Sequence, residues 1–176
     1  MELSFTRELE VPVRDPSLAV VRIDKYLTLN VGDPAPDFTG TTTDGKELRL
    51  ADLRGKVVLL DFWATWCAPC IAEFPNLLRV YDQYAAKGTL VVIGISLDQD
   101  SQTVQKFVHD RKLPWPQIVL GPAETNSVAK AYNVSGVPAT FLIGPDGKII
   151  AKGVTGEALR AAISRVFPTV AQAKSE

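Results

Sequence analysis

The sequence predicts an α/β fold with three layers, in which helices cover both faces of a mixed central sheet. Residues 57–63 and 90–97 form near-continuous apolar runs, which are typical of strands that are buried on both faces. Segments with apolar residues at helical spacing alternate with such runs, and this alternation indicates crossover helices between neighbouring strands. The order β-α-β-α-β-α-β-β-α therefore predicts a mostly parallel sheet with an antiparallel pair at its end.

The individual elements follow from apolar spacing, capping residues and turn residues. Helices are predicted at residues 67–84, 101–111, 125–132 and 155–167. In the first of them, Ile71, Phe74 and Leu78 recur at intervals of three and four residues, and Thr155 is the predicted cap of the last. Further strands are predicted at residues 118–120, 139–143 and 148–152. The last two flank Gly-Pro-Asp-Gly at 144–147, which is typical of a hairpin turn.

The first 30 residues are predicted to form a β-rich arm. Apolar and polar residues alternate over 9–14, where Pro12 restricts the strand to a sheet edge, and a second apolar run covers 18–23. The arm is either a pair of edge strands or the tail of a preceding domain. We therefore expect an arm at 1–30, one globular domain at 31–168 and a polar tail at 169–176.

Composition and charge exclude several classes of function. The chain has 176 residues, 46% of them hydrophobic, and 19 basic against 20 acidic side chains give a net charge of −1. This charge provides no attraction to nucleic acid or to an anionic membrane. No apolar run approaches the roughly 18 residues of a spanning helix, and Met1 is followed by Glu2 rather than by a secretory signal. With only two cysteines, the chain is not a disulfide-stapled mini-protein.

The two cysteines, Cys67 and Cys70, lie where a buried strand is predicted to turn into a helix. Residues three apart in a helical turn share one face, with Cβ atoms about 5–6 Å apart, so this pair can form a disulfide with little movement. At the helix N-terminus, unpaired N–H groups and the helix dipole favour an anion and lower a thiol pKa from about 8.5 toward neutrality. Pro69 suits the first turn, where its missing N–H is not needed. The spacing predicts a nucleophilic, redox-active dithiol.

Two other interpretations of the pair are weaker. A disulfide that closes only four residues would stabilise the fold by about 2 kcal/mol at best. A zinc site needs four ligands, whereas this chain offers two cysteines and His109, which is predicted to lie on an exposed helix face. We therefore expect neither a metal nor an organic cofactor.

Residues 62–70, Phe-Trp-Ala-Thr-Trp-Cys-Ala-Pro-Cys, resemble the active-site motif of the thioredoxin superfamily. Pro75 matches the proline that kinks the active-site helix in that family, and residues 137–141, Val-Pro-Ala-Thr-Phe, resemble its cis-proline loop. The resemblance implies a thioredoxin-like α/β/α fold with a redox-active disulfide and a role in cell redox homeostasis.

Within that superfamily the chain is most similar to TlpA-like thiol-disulfide oxidoreductases. Their entry motif resembles residues 31–38, and their α-β insertion, which plain thioredoxin lacks, fits residues 101–120. The resemblance spans residues 31–167 and leaves the arm unexplained.

Asp61 lies inside an apolar run, where an unpaired carboxylate costs several kcal/mol or is neutralised by a raised pKa. Such a penalty favours a task in proton handling. The resemblance implies that Asp61 takes the proton of Cys70 as that thiol attacks, although many TlpA-like proteins carry an amide here. The alternative is a strand-end carboxylate that is exposed or paired with Lys56 or another cation.

Glu73 lies three residues after Cys70, on the same predicted helical face. TlpA-like proteins of the cytochrome-maturation type carry a Glu at this position, and the resemblance implies that Glu73 tunes the cysteines. The alternative, to which we give equal weight, is an ordinary helix-surface Glu or a favourable charge near the helix start.

The resemblance also implies a substrate groove beside the disulfide. Pro138 is expected to have a cis peptide bond, and the backbone of Val137 is expected to pair with an extended substrate strand. Trp66, next to Cys67, is the expected rim of this groove, whereas Trp63 is expected to pack below it.

Together these features predict a thiol-disulfide oxidoreductase that works as a reductase, because Ala68-Pro69 lacks the His of strongly oxidising pairs. The expected partners are a disulfide-bearing protein substrate and an upstream dithiol reductant. The protein is expected to be a monomer that binds no nucleic acid and does not insert into a membrane. The resemblance points to an extracytoplasmic or periplasmic location, with the cytoplasm as the alternative.

Two other functions stay open at this point. A thiol peroxidase of the peroxiredoxin type needs a Thr three residues before the attacking Cys, and Ala64 occupies that position. A non-enzymatic metal chaperone, or an interaction module of a larger protein, is the third possibility.

Overall fold

The computed structural model describes residues 29–85 and 88–167. Within these ranges the strands are β1 (Thr39–Thr41), β2 (Glu47–Arg49), β3 (Val57–Trp63), β4 (Leu90–Ser96), β5 (Gln117–Val119), β6 (Ala139–Ile143) and β7 (Ile149–Lys152). The α-helices are α1 (Ala68–Val80), α2 (Ser101–Arg111), α3 (Ser127–Ala131) and α4 (Gly156–Val166). The strands predicted in the arm, at 9–14 and 18–23, lie outside the described residues.

Five of these strands form one mixed sheet in the order β5-β4-β3-β6-β7. β3 and β5 both run parallel to β4, whereas β6 is antiparallel to β3 and β7 is antiparallel to β6. The predicted mixed sheet and its antiparallel end are therefore confirmed. β3 lies at the centre with every residue buried, which explains its unbroken apolar run.

The side chains of β3 alternate between two cores, one on each face of the sheet. Val57, Leu59 and Trp63 face the core that contains residues of α1, α2 and α4. The intervening residues of β3 face the second core, which contains residues of α3 and of the segment before β1. Helices thus cover both faces, as predicted, and the alternation places Asp61 on the face that α1 covers.

Both edges of the sheet are covered by the chain between residues 29 and 49. The β1–β2 hairpin lies against β5, where the N–H of Thr43 donates to the carbonyl of Gln117 at 2.8 Å. At the opposite edge, the N–H of Gly32 donates to the carbonyl of Ile149 at 2.8 Å. The sequence does not predict the hairpin, because each of its strands has only three residues and periodicity cannot be recognised over that length.

Helix α1 is shorter than its predicted range of 67–84. It ends at Val80 and is followed by a π-helical turn, Tyr81–Ala85. Tyr84 remains buried in that turn, so the apolar spacing continues beyond the end of the helix and periodicity alone extends it. For the other helices and strands predicted within the described residues, the predicted and observed boundaries differ by at most two residues.

Candidate active site

Cys67 and Cys70 are joined by a disulfide at the start of α1, with their Cα atoms 5.3 Å apart. Cys67 is the N-cap residue of α1, and its Sγ accepts a hydrogen bond from the backbone N–H of Cys70 at 3.2 Å. Pro69 lies in the first turn. The predicted bridge and its position at a helix start are confirmed. The N–H groups of this turn, with the helix dipole, place partial positive charge beside the Sγ of Cys67.

The two tryptophans near the disulfide occupy different environments. Trp66 is 68% exposed, immediately before Cys67. Trp63 is completely buried below the turn, and its Nε1 donates to Oε1 of Gln117 at 2.9 Å. Trp63 therefore packs under the site, as predicted, and Trp66 lies at the surface where a groove rim is expected.

Asp61 is buried, and its Oδ2 has no hydrogen-bond partner in the described part of the chain. Burial, with a further contribution from the charge of Glu73, raises the pKa of Asp61 to about 7. The ion pairs found between described residues do not include Asp61, so the alternative of a pair with Lys56 is not observed there. Asp61 is a buried carboxyl that changes its protonation state near neutral pH, which is the property expected of a proton acceptor.

Glu73 connects α1 to the start of α4. Its Oε1 accepts hydrogen bonds from the backbone N–H of Gly156 at 2.6 Å and from Nδ2 of Asn76 at 2.7 Å. Thr155 occupies the predicted N-cap position of α4, but its side chain makes no capping bond, and the carboxyl of Glu73 takes that place. Glu73 is thus not a free surface side chain, and its charge also contributes to the raised pKa of Asp61.

This geometry predicts distinct effects for two substitutions of Glu73. Glu73→Ala is expected to lower the free energy of unfolding by about 1–3 kcal/mol, because the N–H of Gly156 and the amide of Asn76 lose their acceptor. Glu73→Gln is expected to lose less, because its amide oxygen can still accept a hydrogen bond. Both substitutions remove a charge near Asp61 and are expected to lower its pKa.

Urea denaturation of the oxidised protein measures the stability change, and a pH titration of Asp61 measures the pKa change. Glu157→Gln is a suitable control, because Glu157 is an acidic residue of the same helix start that is exposed. If Glu73→Ala is as stable as the control, the capping role is wrong.

The loop before β6 lies at the same end of the sheet as the disulfide. The Val137–Pro138 peptide bond is cis, as the sequence predicts. Ala139 pairs with Phe62 in the sheet, so this loop lies at the carboxyl end of β3, where the chain continues toward Cys67. Gly136 and Pro138 are exposed and Val137 between them is half-buried, so the loop lies at the surface.

Sequence reasoning does not identify Asp98, which holds the turn before Cys67. Its carboxylate accepts hydrogen bonds from the N–H and Oγ1 of Thr65, at 2.9 and 2.6 Å, and from Oγ of Ser96 at 2.7 Å. A signal for it exists, since Asp98 follows the second buried apolar run almost directly. The carboxyl ends of the parallel strands β3 and β4 meet at one edge of the sheet, where such residues converge.

Residues 29–85 and 88–167 contain no group of three or more His, Cys, Asp or Glu side chains that could hold a metal ion. No helix in them has the length and apolar character needed to cross a membrane. The side chain of His109 is 90% exposed on α2, as the sequence predicts.

A disulfide between residues three apart at a helix start, at the sheet end that carries a cis-proline loop, defines a class: the thioredoxin-like thiol-disulfide oxidoreductases. Comparison with known proteins agrees with this class. Residues 31–152 match the AhpC/TSA family, and the chain belongs to that family. The thiol-disulfide oxidoreductase ResA of Bacillus subtilis is 36% identical over 129 residues, which represent 73% of this chain and 69% of ResA.

Two solved structures extend the comparison. The thioredoxin domain of a thiol-disulfide oxidoreductase from Bacteroides vulgatus is 33% identical, with a TM-score of 0.72 over 78% of this chain and 98% of that one. A secreted disulfide oxidoreductase of Mycobacterium tuberculosis, described as homologous to DsbE of Escherichia coli, is 28% identical, with a TM-score of 0.62 over 73% of this chain and 95% of the other. These relatives favour thiol-disulfide exchange over the peroxidase and non-enzymatic alternatives.

Proposed function

We propose that the protein reduces disulfides of partner proteins, with Cys67 as the attacking thiolate and Cys70 as the resolving thiol. One observation carries the proposal: the Cys67–Cys70 disulfide begins α1, and Asp61 lies on the sheet face that α1 covers, with no hydrogen-bond partner for its Oδ2 among the described residues. Nucleophile, resolving thiol and proton acceptor thus belong to adjoining elements.

The reaction proceeds in two exchanges that conserve electrons and sulfur–sulfur bonds. In the first, the thiolate of Cys67 attacks one sulfur of the partner disulfide, that S–S bond breaks, and the other partner sulfur leaves as a thiolate. In the second, Cys70 gives its proton to the carboxylate of Asp61 and attacks the Sγ of Cys67. The mixed disulfide then breaks, and the partner leaves with two thiols after proton uptake. The Cys67–Cys70 pair has lost the two electrons that the partner has gained, and it is left as a disulfide.

The remaining site residues hold the partner or adjust the reacting groups. The loop at Val137 and Pro138, of which Val137 is half-buried and Pro138 exposed, suits an extended partner strand, which would pair with its backbone as an added β-strand. Trp66 would form the rim of this groove. Glu73 would act on Asp61 through its charge, without touching the partner.

Two kinds of partner follow from this cycle. Thiol-disulfide oxidoreductases act on protein partners; here these are a disulfide-bearing substrate and an upstream dithiol that reduces the Cys67–Cys70 disulfide again. The reduced Cys67–Cys70 dithiol itself carries the two electrons, so the cycle requires no metal and no organic cofactor. A monomer contains all the groups the reaction needs.

The proposed location is outside the cytoplasm, in the periplasm or an equivalent compartment. The similarity to the secreted oxidoreductase of Mycobacterium tuberculosis supports this location. We also propose that the catalytic domain covers residues 31–168, with 1–30 as an arm and 169–176 as a tail; the family match over 31–152 agrees with the start of this domain.

Reduction of insulin by dithiothreitol tests the proposed function, because precipitation of the freed B chain reports the reaction. The protein is expected to accelerate precipitation at least about tenfold over dithiothreitol alone, since a helix-start thiolate exchanges faster than an ordinary thiol at neutral pH. The Cys67→Ser variant is expected to give only the dithiothreitol rate. If the protein gives no acceleration, the proposed function is wrong.

A further inference from the structure

A cavity of about 490 Å³ opens beside the proposed groove and is not used by the exchange chemistry. Four chain segments contribute to its wall: the turn before α1, the loop after β4, the loop after β5 and the loop before β6. Its lining includes Trp66 from the first segment and Gly136 from the last. Trp66 precedes Cys67, and Gly136 precedes the cis Val137–Pro138 bond. A protein segment bound at the disulfide would therefore pass close to this cavity.

The cavity has one large aromatic wall. Trp66 is 68% exposed, and Val31 is the other large apolar side chain found exposed in the described ranges. Leu97, Pro122 and Ala123 add further apolar lining. An exposed indole face next to aliphatic side chains binds the methylene stem of a long side chain, and its π-system attracts a cation.

The charged side chains of the cavity are all acidic. They are Asp98, Asp100 and Glu124, and none of the described lining residues is basic. Asp98 is occupied by its hydrogen bonds to Thr65 and Ser96. Asp100 and Glu124, unlike Asp98, are exposed at the rim of the cavity.

Asp100 also has a local reason to stay ionised. It is the N-cap of α2, and its carboxylate accepts hydrogen bonds from the side chain and N–H of Thr103 and from the N–H of Gln102. These donors lower the pKa of Asp100 below its ordinary value. Asp100 therefore stays ionised at neutral pH and gives the rim a negative charge.

We propose that this cavity receives a lysine or arginine side chain of the substrate protein, placed close in sequence to the cysteine that Cys67 attacks. The stem would lie against Trp66, and the charged end would face Asp100 and Glu124. The inference rests on the proposed function and adds a substrate preference to it: disulfides with a basic neighbour are reduced faster than those with a neutral or acidic one.

A matched set of disulfide-bearing peptides tests this preference. The peptides differ only in carrying Lys, norleucine or Glu at one position, two residues from the reacting cysteine, and kcat/KM is measured at low and high salt. The Lys peptide is expected to exceed the norleucine peptide about tenfold at low ionic strength, with a further reduction for Glu, because a rim ion pair and a cation–π contact each contribute modestly. The ratio is expected to fall as salt screens the rim charges.

Two variants show whether the preference depends on the cavity. In the double variant Asp100→Asn and Glu124→Gln, the Lys-to-norleucine ratio is expected to fall to about two or less; Asn keeps the helix cap that Asp100 provides. Asp110→Asn, an exposed acid at the far end of α2, is the matched control and should keep the full ratio. Each ratio is normalised to reduction of 2-hydroxyethyl disulfide, a small neutral substrate, by the same variant.

The outcomes separate this inference from the proposed function. If no peptide is reduced, the proposed function fails. If all peptides are reduced at the same rate, or if the double variant keeps the full Lys preference, the function stands and the cavity does not bind a basic side chain. A preference that is lost in the double variant and kept in Asp110→Asn supports the inference.

Discussion

Replacing Cys70 with serine is expected to stop turnover and to leave Cys67 covalently joined to its partner. The thiolate of Cys67 can still attack a partner disulfide, but no second thiol is available to break the mixed disulfide. We expect the steady-state rate of disulfide reduction to fall by at least about a thousandfold, because release then depends on external thiols alone. The chain is well suited to this experiment, since Cys67 and Cys70 are its only cysteines.

Intact-mass analysis under non-reducing conditions measures the trapped adduct. The Cys70→Ser protein should gain the mass of one partner chain, and dithiothreitol should release it. Cys67→Ser is the matched control. This variant keeps the thiol of Cys70 in the same motif but has no thiol at the N-cap of α1. An adduct on Cys70 in that control, at a rate equal to that of Cys67, would contradict the assigned order of attack.

The second large effect is expected for Asp61→Asn. At pH 7 the second exchange is expected to slow by about a hundredfold, the usual contribution of a positioned base, because the thiol of Cys70 loses its proton acceptor. Asp61 must be ionised to accept a proton, so the rate of the unsubstituted protein should rise with pH through about 7, its pKa in the fold. The Asn variant should lack this rise, and stopped-flow release of a labelled partner from the mixed disulfide measures it. A rise at the same pH in the variant would exclude Asp61 as the base.

The same substitution should change stability in a pH-dependent way. The pKa of Asp61 is raised from 3.8 to about 7 by folding, so between these values the folded protein holds a proton that the unfolded chain has lost. The neutral carboxyl of Asp61 therefore makes its whole contribution to the free energy of unfolding below about pH 4. This contribution is lost progressively as the pH rises to about 7. Asp61→Asn removes this loss and should stabilise the oxidised protein at pH 8 by at most about 4 kcal/mol, with little difference at pH 4.

Urea denaturation of both proteins at the two pH values measures this difference. Asp82→Asn, which changes an acidic residue outside the site, controls for the general effect of losing a carboxylate. An equal stability difference at both pH values would show that Asp61 is not buried in its charged form at pH 8.

The redox-active cysteine pair, the buried Asp61 and the strand and helix near them could be predicted, because the sequence patterns that indicate them are local. The spacing of Cys67 and Cys70 and the position of Asp61 within an apolar run are visible in neighbouring residues. β3 and α2 have the predicted boundaries, since β3 is buried throughout and α2 is bounded by its N-cap and by a left-handed residue, Lys112.

The rest of the site depends on contacts between distant parts of the chain. Glu73 caps a helix whose first residue, Gly156, lies 83 positions away in the sequence. Asp98 holds Thr65 across 33 positions, and the cavity beside Trp66 is formed by four separate segments. Local periodicity carries no information on such contacts. The start of α4 at Thr155 is predictable from the sequence, but the side chain that accepts the hydrogen bond there, Glu73, is not.

Residue-resolved alkylation of the freshly reduced protein measures whether Cys67 is the nucleophile of a thiol-disulfide oxidoreductase. A short exposure to iodoacetamide at pH 7 is followed by digestion and mass analysis, which assigns the modification to one cysteine. Cys67 is expected to be modified at least about ten times faster than Cys70, because its Sγ lies at the N-cap of α1, where the helix start stabilises a thiolate. Faster modification of Cys70, or equal slow modification of both, would contradict this assignment.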